Sequence, residues 1–156
     1  MRPMRRANQA LSDEVVRHIL ETEKRGVLSL LGDDGYPYGV PLDFVLRGDT
    51  IYFHSAKEGH KLDAIAACDK ASFCVLSRGE LDERDGWSYF WNSVIAFGRM
   101  RVVTDPSEKE QALRALGQKY FPTADEVERE LQKDEARVAC LALSIEHITG
   151  KRVHER

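Results

Sequence analysis

The 156-residue sequence has no apolar run near the ~18 residues that a membrane-spanning helix needs. Its first ten residues are basic and polar with no apolar stretch behind them, unlike a secretory leader, so a cytoplasmic protein is expected. Cysteine is scarce: Cys68, Cys74 and Cys140 are odd in number and show no C-x-x-C spacing. They read as reduced, buried thiols, not as a disulfide framework or a metal site. A basic surplus is missing too. Lysine and arginine total 23 against 26 aspartates and glutamates, a net charge of −3 with a pI near 6.0, which argues against a nucleic-acid partner. The dinucleotide fingerprint G-x-G-x-x-G, the phosphate loop G-x-x-x-x-G-K-[ST] and the nucleophile elbow G-x-S-x-G are all absent. There is no internal repeat and no low-complexity tract.

What remains is an ordinary globular composition, 42% hydrophobic and 31% charged, of a length that suits one domain over residues 1–156. Ser12 is placed to cap a first helix, with Asp13 and Glu14 on its positive end, Leu11 and Val16 at staple spacing, and Lys24-Arg25-Gly26 as its stop. The middle of the chain reads as β-structure. Strands are expected at Val27–Leu31, Tyr36–Leu46, Thr50–His54, Ala71–Leu76, Tyr89–Val103 and Val138–Ile148, separated by turns such as Gly32-Asp33-Asp34-Gly35. Pro37 and Pro41 put the second of these at an edge or interrupt it. Two late helices follow Asp105-Pro106 and the Thr123/Glu126 capping box. About six antiparallel strands with short turns suggest a mainly β fold, a small barrel with helices on its outside.

Two stretches carry possible chemistry. In the first, a strand ends at His54, a polar loop holds Ser55 and Gly59, and a helix begins near His60 with Leu62, Ile65 and Ala66 as its expected buried face. A helix start offers unpaired amides and a positive dipole end, and here the Ser55 hydroxyl, His60 and Lys61 stand beside it. Hydroxyl, amide and ammonium together make a phosphate cradle. A metal reading fails on the spacing of His54 and His60, which is neither the i, i+4 helical pair nor a finger-like pattern. In the second stretch, Asp34 to Asp43, Pro41 removes a ladder donor and leaves backbone groups free to meet a flat heteroaromatic ring.

On these residues the sequence resembles the pyridoxamine 5′-phosphate oxidase-like superfamily, and within it the nitroimidazole-resistance (Nim-type) flavin-nucleotide-binding branch. The matching segments are Met4-Arg5-Arg6, Gly26-Val27-Leu28-Ser29, Gly35 to Leu42, Ile51 to Ala56, Gly59-His60-Lys61-Leu62, Ser93 to Gly98 and Ile148-Thr149-Gly150-Lys151. They occur in the family's order and span nearly the whole chain. The resemblance implies a split β-barrel that binds FMN in a groove between the protomers of a homodimer. It implies that Ser55, His60 and Lys61 hold the FMN phosphate, and that Val40, Pro41, Leu42 and Asp43 line the isoalloxazine through backbone groups. It places Ser93 on the long strand that reaches the interface, and His54 beside the flavin on the substrate side. A role for Thr149-Gly150-Lys151 stays open.

The terminal Arg152-Val153-His154-Glu155-Arg156 looks like the Arg-x-His-x-Arg substrate clamp of true pyridoxamine phosphate oxidases, and those residue types suit a phosphorylated pyridine. The tryptophan-containing lead-in of that clamp is missing, however, and the match directly follows the Nim-like Ile148 to Lys151. The resulting expectation is an FMN oxidoreductase that reduces a small electrophile such as a nitroaromatic, with His54 as proton donor or substrate anchor. NAD(P)H or a redox protein would supply the electrons. The alternatives are oxidation of pyridoxamine or pyridoxine phosphate, and a flavin-binding module without turnover.

Overall fold

In a computed structural model, residues 1, 3–134 and 137–155 are described. Ser12 caps α1 (Asp13–Thr22) by accepting the Val15 N–H at 3.4 Å, and Val16, Ile19 and Leu20 form its buried face. The eight strands are β1 (Arg25–Leu31), β2 (Pro37–Asp43), β3 (Val45–Arg47), β4 (Thr50–Ser55), β5 (Lys70–Leu76), β6 (Glu80–Leu81), β7 (Tyr89–Val102) and β8 (Ala139–Glu155). All their pairings are antiparallel, in the order β2-β1-β5-β7-β8-β4-β3, with the two-residue β6 added to β7. The two edge strands, β2 and β3, are consecutive in the chain and separated only by Phe44. The sheet therefore curls until its edges meet at one corner, the split barrel expected from the sequence.

Strand number and some strand ends differ from the sequence reading, and of the two readings of the prolines it is the edge that holds. The extended segment 36–46 is two strands because the chain turns the barrel corner at Phe44, not at either proline. Pro41 does not interrupt the ladder: β1 and β2 pair continuously from Arg25↔Asp43 to Leu31↔Pro37. The polar loop after β5 contributes β6. The last strand runs on past Ile148 to Glu155, because β7 offers partners as far as Tyr89.

The barrel interior is one cluster, with Leu28, Phe44, Ile51, Phe53, Phe73, Val94 and Leu141 fully enclosed. Phe44 and Phe53 meet Phe73 edge-on, with centroids 4.9 and 5.0 Å apart. α1 adds its apolar face, and α2 (His60–Ala67) adds Ala64 and Ile65, while Leu62 is partly buried and Ala66 faces solvent. A second cluster lies outside the barrel wall. There Ala112, Leu113 and Leu116 of α3 (Pro106–Tyr120) cover Tyr52, Cys140 and Ala142. Asp105 caps α3 by accepting the Glu108 N–H at 2.7 Å, with Pro106 in its first turn. α4 (Ala124–Asp134) starts at Thr123, whose hydroxyl accepts the Glu126 N–H and donates to the Glu126 carboxylate at 2.8 Å. Among the described residues no helix is long and apolar enough to cross a membrane.

Gly150 supplies the role left open for its motif. A Cβ there would lie 2.4 Å from Val16 Cγ2 and 3.0 Å from Leu11 Cβ, and the Gly150 carbonyl accepts the Leu11 N–H at 3.0 Å. The missing side chain lets the start of α1 dock on β8. All three cysteines are free; Cys140 is buried, whereas Cys68 and Cys74 are only half-buried. Burial pushes the Cys140 thiol up to about 11, which removes thiolate reactivity near neutral pH.

Candidate functional site

Strand alternation sends the side chains of Ile51, Phe53 and Ser55 into the barrel, and those of Tyr52 and His54 toward α3 and α4. Two environments thus lie back to back across the end of β4.

On the inner side, Ser55 is 7% exposed and leads into the loop before α2. Gly59 occupies the N-cap with φ 114° and ψ 171°, a conformation that requires glycine. Its carbonyl accepts the Leu62 and Asp63 amides, and it has no side chain to cap the amides of His60 and Lys61. Burial lowers the Lys61 pKa, and no carboxylate among the described residues pairs with that ammonium. Desolvation of this kind is relieved by an anion. His60 is engaged elsewhere: its Nε2 lies 3.3 Å from the Asp33 carboxylate, and its ring stacks on Tyr38 with centroids 4.3 Å apart. Ser55 thus ends β4 and His60 and Lys61 open α2, at the two ends of one short loop, with His60 tied to the β1–β2 turn. Asp33 and Tyr38 were not singled out from the sequence, because a turn aspartate and a strand tyrosine look alike wherever they occur.

The β2 edge runs beside this loop. Val40 and Leu42 turn their side chains to the barrel core, and Pro41 turns outward. A proline fits a continuous antiparallel ladder only where its nitrogen points away from the partner strand. The backbone of Pro41 and Asp43 therefore faces the free edge, while Val40 and Leu42 spend theirs on β1. Asp43 also takes an ion pair from Arg25 at 2.9 Å. Ser93 is elsewhere: it sits half-buried on the outer face of β7, which is separated from the Ser55 strand β4 by β8. One protomer does not bring it to the cradle.

On the outer side, His54 opens into a cavity of about 320 Å³ between the barrel wall and the α3–α4 pair. Asp43 and Tyr120 line it too, so Asp43 and His54, both assigned to the flavin environment, share this space. Tyr120 holds the barrel corner. Its hydroxyl accepts the Phe44 N–H at 2.9 Å, lies 3.0 Å from the Phe44 carbonyl, and donates to the Lys24 carbonyl. Burial pushes its pKa up to about 12. Beside it the Lys119 ammonium donates to the Leu20 carbonyl at 3.1 Å and lies 3.9 Å from the Phe44 ring centroid; burial pulls its pKa down to about 8.

The terminal segment is strand as far as Glu155. Arg152 pairs with Asn92 in the β7–β8 ladder, and its guanidinium lies 5.3 Å from the Phe90 ring centroid. Arg156 lies outside the described residues.

The family model described as pyridoxamine 5′-phosphate oxidase matches residues 12–152. No curated protein matches the chain. Among solved structures, it is similar to a candidate 5-nitroimidazole antibiotic resistance protein from Bacteroides thetaiotaomicron, at 21% identity and TM-score 0.79, covering 94% of this chain and 87% of that one. A FAD-binding protein from Mesorhizobium loti gives 23% identity and TM-score 0.70, covering 93% and 97%. A FAD and heme binding protein from Mycobacterium smegmatis gives 25% identity and TM-score 0.74, covering 92% and 72%.

Proposed function

Because the chain belongs to the pyridoxamine 5′-phosphate oxidase family, we propose that it is an FMN-dependent oxidoreductase that reduces a small electrophile such as a nitroaromatic. The observation that carries this reading is the half-buried, unpaired Lys61 ammonium in the uncapped first turn of α2. This arrangement fits a terminal phosphate. Lys61, Ser55 and the α2 amides hold the phosphate, and His60 braces the loop through Asp33 and Tyr38. The outward backbone of Pro41 and Asp43 meets the ring edge. FMN supplies the electron-transfer chemistry; His54 holds a proton or anchors the acceptor. Similarity to two FAD-binding proteins supports a flavin, and similarity to the candidate nitroimidazole-resistance protein supports the acceptor class.

The working unit in this reading is a homodimer. The outer face of the sheet exposes Val27, Leu76 and Tyr89, with Trp91, Ile95 and Phe97 half-buried between them, and so forms an apolar surface with Ser93 at its middle. A second copy laid on that face buries it and brings Ser93 toward the partner's flavin.

The test is a titration of the flavin-free protein with FMN, FAD and riboflavin. FMN should bind most tightly. Lys61→Ala should weaken FMN by about 1–3 kcal/mol, roughly five- to 150-fold, and leave riboflavin unchanged. Equal affinity for FMN and riboflavin would remove the cradle.

A further inference from the structure

We infer that the cavity beneath α3 and α4 is a binding site for an uncharged, ring-sized aromatic molecule, on the opposite face of β4 from the phosphate cradle. Its volume of about 320 Å³ lies at the lower end of small-molecule pockets. The walls follow from helical spacing. Leu113, Leu116 and Tyr120 of α3 recur at i, i+3 and i+7, and Val127 and Leu131 of α4 at i and i+4, so each helix turns one apolar row inward.

The space persists because α4 is supported from α3. A Cβ on Gly117 would lie 2.8 Å from Val127 Cγ1, so glycine there lets the two helices approach closely. Arg114 of α3 pairs with both Glu110 and Glu128, tying α4 on from the outside. α4 is thereby held over His54 without collapsing onto it.

Polarity sets the ligand class. Among the described residues the lining contains the Asp43 and Glu130 carboxylates, the His54 imidazole and the Tyr120 hydroxyl, and no lysine or arginine. Of the α3 cations next to lining residues, Lys119 points to the Leu20 carbonyl and Arg114 pairs with Glu110 and Glu128. An aromatic ring meets apolar walls here and finds hydrogen-bonding partners at His54, whereas an anion finds no free cation in the described lining, where Asp43 is already paired with Arg25 at 2.9 Å and Glu130 with Lys133 at 3.8 Å. A phosphorylated pyridine is therefore a poor occupant.

The inference does not depend on flavin binding, and the test keeps the two apart. The full-length protein is titrated with N-phenyl-1-naphthylamine and with its sulfonate, 8-anilinonaphthalene-1-sulfonate, while probe fluorescence is followed. The neutral probe should saturate at one per chain, and the sulfonate should bind at least tenfold more weakly. Leu131→Trp, which fills the cavity from α4, should weaken the neutral probe at least tenfold while FMN affinity stays as in the parent. Glu130→Lys, a change at a half-exposed rim position, should bring the sulfonate to within about threefold of the neutral probe. No saturable binding of the neutral probe, equal binding of the two probes to the parent, or neutral-probe binding untouched by Leu131→Trp would each overturn the assignment. A sulfonate affinity unmoved by Glu130→Lys would overturn the charge selection.

Discussion

Replacing Tyr120 with phenylalanine removes one oxygen from the place where the curled sheet is joined to itself. Phe44 is completely enclosed, and it belongs to neither β2 nor β3, so no ladder partner serves its backbone. The Tyr120 hydroxyl takes its N–H at 2.9 Å and passes its own proton to the Lys24 carbonyl at the start of β1. In Tyr120→Phe the ring still fills its space, so the cavity term is small. The cost is that of a buried donor left without an acceptor, about 1–3 kcal/mol. For a chain of this length, that lowers the melting temperature by roughly 2–12 °C at matched protein concentration. Urea unfolding should show a lower midpoint at an unchanged slope, since the same surface is exposed. Tyr52→Phe is the internal control. The Tyr52 hydroxyl donates to Glu108 at 2.8 Å, and Glu108 keeps its ion pair with Arg101, so this change should cost less than about 1 kcal/mol. A loss below ~0.5 kcal/mol for Tyr120→Phe, at constant slope, would show that the corner is held by something other than this hydroxyl.

Three further outcomes are expected. His54→Ala should leave FMN affinity within about tenfold, because the phosphate is served from the other face of β4. Its single-turnover rate with an accepted nitroaromatic should fall by roughly 10²–10⁴, and unchanged reoxidation would reduce His54 to scaffolding. Lys119 titrates near 8 when folded and near 10.5 when unfolded, so its burial cost is present in full below pH 8 and is relieved as pH rises to 10.5. Wild type should therefore gain about 1–2 kcal/mol on Lys119→Met across that window, after allowance for solvent screening; a constant difference in urea stability would contradict it. For the homodimer, the melting temperature should rise with protein concentration, and Trp91→Glu on the shared face should give a monomer in sedimentation; a dimer that persists would move the interface elsewhere.

The sequence exposed what depends on local chemistry. Ser12, Asp105-Pro106 and Thr123 marked their helix starts because a cap is made by residues three apart. The loop from Ser55 to Lys61 could be read as an anion cradle for the same reason, since strand end, glycine and helix start are contiguous. Long-range features were less visible. Tyr120 reads as one more apolar position on α3; only the fold brings it to Phe44, 76 residues away in sequence. Gly150 was legible as part of a motif but not as the gap into which Leu11 and Val16 fit. The partnership of His60 with Asp33 and Tyr38 likewise depends on how α2 meets the β1–β2 turn.

The arrangement of β4 explains why one short strand can serve two chemistries. Consecutive residues in a strand point to opposite faces, so His54 and Ser55 are covalent neighbours with different surroundings. Ser55 shares a low-dielectric loop with an unpaired ammonium, which favours an anion. His54 opens beneath two amphipathic helices, in a described lining whose carboxylates are already paired with Arg25 and Lys133 and which offers an anion no free cation. In the proposed function, the phosphate of the cofactor and an uncharged acceptor are thus received on opposite faces of a single strand. The separation makes a definite demand on double variants. Lys61→Ala combined with Leu131→Trp should weaken cofactor and neutral-probe binding additively, to within ~0.5 kcal/mol, because Lys61 does not line the cavity and Leu131 is not part of the cradle. A coupling larger than that would mean that the two faces of β4 act as one site.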